Sequence, residues 1–251
     1  MHFGKERKVS VYYNMRRIIL MFLANLFRLP YMLFRVLTMA KRRGKYTKEE
    51  RYACLHRFVR WANWGGRVTV KADGLDRLPA EDGFIMYPNH QGMYDVLTLI
   101  EALERPFSPI AKIETEHVPL LRPVLLMLDT EFMDRSDVRQ SLGVITSVAN
   151  RARRGENFVI FPEGTRSKKE NEMLPFKPGA FKAATLSHAP IVPVAFVDCF
   201  IPFDRKSIKK VTVQAHILDP IPYEEYSGMN TREIADLVQE RIAAKIAEVT
   251  A

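Results

Sequence analysis

The sequence predicts a mixed α/β fold, in which a β-sheet is flanked by helices and follows a helical N-terminal segment. From about residue 67 onward, short strand-like segments, which are either continuously apolar or alternate between apolar and polar residues, are followed by segments with the apolar period of a helix. Such alternation is typical of a sheet covered by helices. The N-terminal quarter is instead strongly apolar and basic. A length of 251 residues suffices for one such domain with an appendage.

The strands and helices can be assigned in order along the chain. The first strand alternates polar and apolar residues, whereas the segments ending near Tyr87 and Phe161 are continuously apolar. The last helix begins with a capping pair, Asn230 and Glu233. The predicted strands are Arg67–Ala72, Phe84–Tyr87, Pro109–Lys112, Asn157–Phe161, Ile191–Phe196 and Val211–Ile217. The predicted helices are Asp95–Leu103, a helix capped by Ser136 or Asp137 that ends at Arg154, Phe176–Ser187, and Thr231–Val249.

Positive charge is concentrated in the N-terminal quarter of the chain. The first 60 residues hold 15 Lys and Arg against three acids, a net charge of +12, whereas the remainder carries −3 of the total +9. A nucleic-acid-binding protein would not show this distribution, so we expect no nucleic-acid partner. The two cysteines, Cys54 and Cys199, are too few for a disulfide framework and indicate reduced thiols in a cytosolic environment.

The apolar stretch from Ile18 to Leu37 predicts an amphipathic helical membrane anchor. It is interrupted by Arg28, Pro30 and Arg35, and a central Arg costs roughly 2.5–3.5 kcal/mol in a spanning helix. Two shorter helices lying in the interface accommodate these residues better, with apolar side chains toward the acyl chains. A transmembrane helix with snorkelling arginines and an ordinary buried helix pair are the alternatives.

The bases that flank this stretch, Arg16, Arg17 and Lys41–Arg43, are expected to face lipid phosphates. We therefore divide the chain into an anchor, residues 1–64, and an α/β domain, residues 65–251. This division predicts a peripheral or monotopic protein at the cytoplasmic face of the cell membrane.

The segment Asn89–Asp95, NHQGMYD, follows directly on an apolar strand. With His90 in a loop that contains Gly92 and with Asp95 on the first helical turn, the carboxylate can fold back onto the imidazole. It would then hold one ring nitrogen's proton and leave the other nitrogen as a base. Taken alone, the spacing is weak evidence, because a His near an Asp is often structural. A metal site would need further ligands, and no His-rich or Cys-rich cluster lies nearby in the sequence.

The segment Phe161–Ser167, FPEGTRS, also follows an apolar strand. A strand end, a glycine turn and an arginine can bind an anion, because backbone N–H groups and the Arg166 guanidinium suit phosphate oxygens. The alternative is an exposed turn whose arginine caps a carbonyl.

Taken together and in this order, the segments resemble the glycerolipid acyltransferase family. The supporting blocks are Asn89–Asp95, Phe132–Arg135, Phe161–Ser167, Phe176–Phe181 and Ala189–Val194. The resemblance covers roughly residues 67–220 and is closest to the 1-acyl-glycerol-3-phosphate (lysophosphatidic acid) acyltransferases. It implies a mixed sheet like that of the glycerol-3-phosphate acyltransferases.

The resemblance also implies a role for each matching residue. His90 would be the general base that takes the proton of the acceptor's free hydroxyl, and Asp95 would orient it. The hydroxyl would attack an acyl thioester directly, without an acyl-enzyme. The residues implied in binding the substrate phosphate are Glu163, Gly164, Thr165, Arg166, Arg135 and, as a weaker candidate, Lys112.

The implied reaction transfers an acyl group from acyl-CoA or acyl carrier protein to 1-acyl-glycerol-3-phosphate and gives phosphatidic acid. It needs no cofactor and no metal, and its partners are membrane lipids, the lysophospholipid acceptor and the acyl donor. Two alternatives stay open. One is another acceptor, glycerol-3-phosphate or a different lysolipid, although Arg166 and Arg135 favour a phosphorylated one. The other is a non-catalytic membrane-surface binding protein, against which the intact His90 and Asp95 argue.

Overall fold

The computed structural model describes residues 15–251, so the first 14 residues of the predicted anchor lie outside the described part of the chain. The helices within it are α1 (Met15–Ala24), α2 (Leu29–Lys41), α3 (Lys48–Gly66), α4 (Asp95–Ala102), α5 (Leu121–Met127), α6 (Val138–Ala152), α7 (Lys182–Ser187), α8 (Ile201–Asp204), α9 (Tyr223–Tyr226) and α10 (Thr231–Thr250). The strands are β1 (Val68–Asp73), β2 (Ile85–Pro88), β3 (Ser108–Lys112), β4 (Glu131–Met133), β5 (Phe158–Val159), β6 (Ile191–Val197) and β7 (Val211–Ile217).

The seven described strands form one sheet in the order β1-β7-β6-β2-β5-β3-β4. Every neighbouring pair is parallel except β6 and β7, which are antiparallel. The predicted mixed α/β fold with a sheet flanked by helices is therefore confirmed. Because β2, β5, β3 and β4 are parallel neighbours, the loops that follow them all begin at one edge of the sheet.

Both faces of the sheet are covered, as the buried strand β6 shows. Val192, Val194 and Phe196 point into a core on one face, which α1 to α5 cover. Ile191 and Ala195 point into the other core, which α6, α7 and α10 cover. Side chains that alternate along a strand therefore serve two cores, which explains why this segment is continuously apolar.

Most predicted elements agree with the structure, with differences at their ends. The strand predicted at Asn157–Phe161 is limited to Phe158–Val159, although the Ile160 N–H still donates to the Met86 carbonyl of β2 at 3.0 Å before the chain turns after Phe161. The helix predicted at Phe176–Ser187 instead starts with a 3-10 turn at Pro178–Phe181, since proline fits the first helical turn and lacks an N–H to donate.

The N-terminal apolar stretch forms the two shorter helices that were predicted, α1 and α2, which meet at a bend of 100°. Pro30 does not kink a helix but occupies the first turn of α2, where proline is tolerated. Within residues 15–251 no single helix is both long and apolar enough to cross a membrane, and α1 and α2 reach that length and composition only when taken together.

Helix α1 is tied to the body by Arg17. Its side chain is fully buried, and the guanidinium donates to the carbonyls of Gly66 (2.6 Å), Ser207 (2.8 Å) and Lys209 (2.9 Å). The expectation that Arg17 faces lipid phosphates is therefore wrong. Three backbone carbonyls replace the water that a buried guanidinium loses.

The N-terminal helices and the sheet share one hydrophobic core. Met21 of α1 and Met39 of α2 are buried in the same cluster as Tyr52 of α3 and Val194 of β6. The predicted boundary near residue 64 falls two residues before the end of α3 at Gly66. The two predicted parts thus pack as one body in the described chain.

Candidate active site

The two polar segments identified in the sequence meet at the carboxyl edge of the sheet. Strands β2 and β5 are parallel neighbours, so the loops after Pro88 and Val159 leave the sheet side by side. The Ser167 N–H donates to the His90 carbonyl at 2.8 Å, which joins the two loops directly. The topology therefore brings residues more than 70 positions apart into one site.

His90 and Asp95 form a hydrogen-bonded pair. Nδ1 of His90 lies 2.7 Å from Oδ2 of Asp95. The Asp95 side chain is fully buried, whereas the imidazole side chain is 20% exposed. Within residues 15–251 no partner occupies Nε2, so this nitrogen is available to take a proton. The carboxylate holds the Nδ1 proton and orients the ring.

The Asp95 carboxylate is fixed by the short loop in front of α4. It accepts the backbone N–H groups of Gln91 (2.8 Å) and Gly92 (3.0 and 3.1 Å). A Cβ at Gly92 would lie 3.1 Å from the Phe200 Cα, so a glycine allows the loop to pack closely here. The carboxylate is thus oriented before any substrate binds.

Glu163 fixes the His90 loop through hydrogen bonds to the protein backbone. Its side chain is 2% exposed, and it accepts the backbone N–H groups of His90 (2.8 Å) and Leu174 (3.1 Å) through separate oxygens. Burial raises the pKa of the Glu163 carboxyl to about 7, against the pull of these two hydrogen bonds. In this geometry both oxygens face the protein backbone.

The Glu163→Gln variant should lose activity at every pH, by roughly tenfold. A glutamine amide presents one acceptor and one donor, so one of the two backbone N–H groups loses its partner. The wild type should also slow as the pH falls through about 7, because a protonated Glu163 has the same defect. Rate profiles between about pH 6 and 9 measure both effects, and a wild-type rate for the variant would contradict this role.

Stability offers a second readout for Glu163. The folded pKa lies above the ordinary value of 4.5, so the folded protein holds this proton more tightly than the unfolded chain. The stabilisation is complete below about pH 4.5 and is lost as the pH rises through about 7. The melting temperature of the wild type relative to Glu163→Gln should therefore decrease over that range.

Two amides that the sequence analysis did not single out also position His90. Asn89 accepts the Phe196 N–H at 2.7 Å and donates to the Phe196 carbonyl at 3.1 Å. Gln91 accepts the Cys199 N–H at 2.8 Å and donates to Asn171 at 2.7 Å. Their positions directly before and after His90 could have indicated a role in holding it. Their hydrogen-bond partners lie too far along the chain to be inferred from the sequence.

A cavity of about 370 Å³ lies next to the FPEGTRS turn, and neither His90 nor Asp95 lines it. Its interior is apolar, with Met133, Leu142, Ile145 and Ile160 among the lining residues. Phe161 lines the cavity and packs against His90, with ring centroids 4.1 Å apart and ring planes tilted by 31°. Phe161 therefore connects the apolar space to the imidazole.

Cations surround the turn at Gly164, and no acidic residue lines the cavity among the described residues. Arg135 lines the cavity and donates to the Gly164 carbonyl. Gly164 itself adopts φ +70°, a conformation that favours glycine. Thr165 is exposed and Arg166 half-buried. Lys112 lies at the end of β3 and pairs with Glu114 at 2.5 Å.

The structure thus brings His90, Asp95, Glu163 and Gly164 together, with Arg135 joined to the same turn. It pairs Lys112 with Glu114, whose charge also acts on Arg135. Within residues 15–251 no group of three or more His, Cys, Asp and Glu side chains is arranged to hold a metal ion.

Comparison with known proteins identifies the family. A model of the acyltransferase family matches residues 69–197, a range that contains both loops and the sheet edge between them. The chain belongs to the acyltransferase family. An acyltransferase needs a base for its acceptor and space for an acyl chain, which fits the pair and the apolar cavity described above.

Curated acyltransferases resemble this chain over about two thirds of their own length. The 1-acyl-sn-glycerol-3-phosphate acyltransferase of Escherichia coli is 30% identical over 166 residues, which is 66% of this chain and 67% of the relative. The 1-acyl-sn-glycerol-3-phosphate acyltransferase alpha of Homo sapiens is 29% identical over 191 residues, which is 74% of this chain and 66% of the relative.

A solved acyltransferase has the same fold. The crystal structure of the 1-acyl-sn-glycerophosphate (LPA) acyltransferase PlsC from Thermotoga maritima superposes with a TM-score of 0.75. The match covers 95% of this chain and 96% of that one at 21% sequence identity. At this identity the similarity concerns the fold.

Proposed function

We propose that this acyltransferase transfers an acyl group from a thioester to the free hydroxyl of 1-acyl-glycerol-3-phosphate and gives phosphatidic acid. The observation that carries the proposal is the His90–Asp95 pair, which Phe161 links to a mainly apolar cavity that is lined by cations and by no acid among the described residues. Such a cavity suits an acyl ligand with an anionic head group. The names of the E. coli and human relatives support the same acceptor.

The reaction follows from the geometry of the pair. Nε2 of His90 takes the proton of the acceptor hydroxyl, and the oxygen attacks the carbonyl carbon of the thioester. The C–S bond breaks, and the departing sulfur takes the proton from the imidazolium, which gives the ester and a free thiol. Asp95 hydrogen-bonds to Nδ1 throughout and stabilises the imidazolium while it exists.

The remaining site residues have supporting roles in this proposal. Arg166 and Arg135 bind the acceptor phosphate, together with the backbone of Gly164 and Thr165. Glu163 positions the backbone of His90 rather than contacting the phosphate, because both of its oxygens face backbone N–H groups. Lys112, paired with Glu114, contributes to the phosphate site by its charge. No cofactor takes part, and the donor is acyl-CoA or acyl carrier protein.

The enzyme is proposed to work at the membrane surface on the cytoplasmic side, where a lysophospholipid is dissolved. The support is an exposed apolar surface on α1, on α2 and in the bend between them. Phe27, in the bend, is 98% exposed, and Phe34 of α2 is 65% exposed. The surface comprises Ile19, Phe22, Leu23, Leu26, Phe27, Leu33, Phe34 and Leu37. A monomeric soluble protein rarely exposes so many large apolar side chains in one place.

An assay in mixed micelles tests the reaction. The purified chain with acyl-CoA or acyl carrier protein as donor should release one thiol for each phosphatidic acid formed from 1-acyl-glycerol-3-phosphate. Glycerol-3-phosphate and a lysolipid without the terminal phosphate monoester serve as competing acceptors, and their kcat/KM should be at least tenfold lower, because they lack the acyl chain or the dianionic phosphate. A preference for either would replace the proposed acceptor, and transfer to none would favour a non-catalytic binding protein.

Binding to vesicles tests the proposed location at the membrane surface. The double variant Phe27→Ser, Phe34→Ser should bind anionic vesicles at least tenfold more weakly, because each buried Phe contributes about 1.5–3 kcal/mol. Its turnover in detergent micelles should stay close to that of the wild type. Leu186→Ser, at an exposed leucine of α7, is the matched control. Unchanged vesicle binding by the double variant would contradict the interfacial position.

A further inference from the structure

Lys177, which lies in the Phe176–Phe181 block and has no role assigned above, approaches the FPEGTRS turn. Its backbone N–H donates to the Pro162 carbonyl at 2.9 Å, which fixes the chain beside the turn. Its side chain then runs across Gly164. A Cβ on Gly164 would lie 2.8 Å from Nζ, 3.1 Å from Cε and 3.2 Å from Cδ. Glycine at 164 thus makes room for this lysine as well as allowing the positive φ.

The charge at this place is unbalanced. The Arg135 guanidinium donates to the carbonyl of the same Gly164, so two cationic side chains meet at one residue. Within residues 15–251 the Lys177 ammonium has no hydrogen bond or ion pair with an acid, and no acid lines the cavity that both side chains border. Glu114 pairs with Lys112 at 2.5 Å, and its charge also acts on Arg135. One glutamate against Lys112, Arg135 and Lys177 leaves a net positive charge, which favours an anion between Arg135 and Lys177.

The volume and the lining of the cavity indicate which kind of anion it can bind. The cavity is about 370 Å³ in volume, and apart from Arg135, Lys177, Lys182 and Ser141 its lining is apolar. This matches part of an acyl chain better than a free inorganic ion. A phosphate monoester carries a charge close to −2 at neutral pH, so more than one cation is needed to balance it. These features suit an acyl compound whose head group carries a phosphate monoester.

We propose that Lys177 binds the phosphate of the acylated acceptor together with Arg135. The proposal rests on the proposed function and adds a residue to its phosphate site. The acceptor is favoured over the donor because Lys177 lies on the glycine of the turn that also carries Arg166, two residues along the chain.

The test is a kinetic comparison of Lys177→Met with the wild type. Methionine keeps the apolar stem over Gly164 and removes the charge. The KM for 1-acyl-glycerol-3-phosphate should rise about 10- to 100-fold, as expected for one charge-assisted hydrogen bond, with kcat within about threefold. The donor KM should stay unchanged. Lys177→Arg should recover most of the affinity, and Lys71→Met, at an exposed lysine of β1, should match the wild type.

Each other outcome contradicts the proposal. A raised donor KM with an unchanged acceptor KM would assign Lys177 to the donor's phosphates. A reduced kcat with both KM values unchanged, or failure of Lys177→Arg to recover affinity in a folded protein, would indicate a role other than phosphate binding.

Should the wild type fail to use this acceptor, the proposed function fails, but the anion site can still be tested. A non-reacting alkyl phosphate should raise the melting temperature of the wild type more than that of Lys177→Met. Equal shifts for the two proteins would show that Lys177 does not bind the phosphate.

Discussion

Replacement of Asp95 by asparagine is expected to reduce kcat by about 10³- to 10⁴-fold while leaving the fold intact. The carboxylate accepts the Gln91 and Gly92 N–H groups and faces Nδ1 of His90. One oxygen, Oδ2, accepts from Gln91 and faces Nδ1, so an asparagine oxygen in that place leaves the amide N–H against the Gly92 N–H. The opposite rotamer points the amide N–H at Nδ1 and moves the ring proton to Nε2. In both rotamers the negative charge that stabilises the imidazolium is lost.

The His90→Ala variant should lose a similar factor, about 10²- to 10⁴-fold, because no other described side chain occupies the place of the base. Acyl transfer in mixed micelles measures both variants, with vesicle binding and melting temperature as tests of folding. His117→Ala is the matched control, since this histidine is exposed at the end of a 3-10 helix, Ile113–His117. If Asp95→Asn retained more than about a tenth of wild-type kcat, the need for a carboxylate beside Nδ1 would be refuted.

Replacement of Arg17 by alanine should destabilise the whole protein. Its guanidinium satisfies the carbonyls of Gly66, Ser207 and Lys209 in a fully buried position. Each carbonyl left without a donor costs about 1–3 kcal/mol, so a loss of roughly 3–5 kcal/mol in the free energy of unfolding is expected. For a chain of this size that corresponds to a fall in melting temperature of roughly 6–15 °C.

The neighbouring Arg16 provides the control, because its side chain is exposed. Arg16→Ala should keep the wild-type melting temperature within about 2 °C and should instead weaken binding to anionic vesicles by a small factor. Thermal unfolding followed by circular dichroism separates the two variants. Equal melting temperatures for Arg17→Ala and the wild type would mean that α1 is not part of the folded core.

The sequence predicts the fold class because strand and helix periods alternate clearly over most of the chain. Strand β4, Glu131–Met133, was not predicted, since three residues are too few to show a period. Helix α3, Lys48–Gly66, was also not assigned, although Thr47 and Glu50 form a capping box at its start. Its charged residues obscure the apolar face, because Arg51 is buried and pairs with Asp129.

Within the site, the local features were predictable and the distant ones were not. The His90–Asp95 contact follows from a five-residue loop that contains Gly92, and the structure has that contact. The inward direction of Glu163 depends on the His90 N–H, 73 residues away, and no spacing in the sequence reveals it. Lys177 reaches Gly164 only because Pro162 holds its backbone.

The burial of Arg17 has a consequence for how the enzyme would sit on a bilayer. An anchor joined by a loose linker would let the catalytic centre drift over many orientations. Here the exposed face around Phe27 is rigidly joined to the sheet, because residues of α1 and α3 are part of the hydrophobic core that covers one face of the sheet. The depth and tilt of the whole molecule would then be set by the 100° angle between α1 and α2.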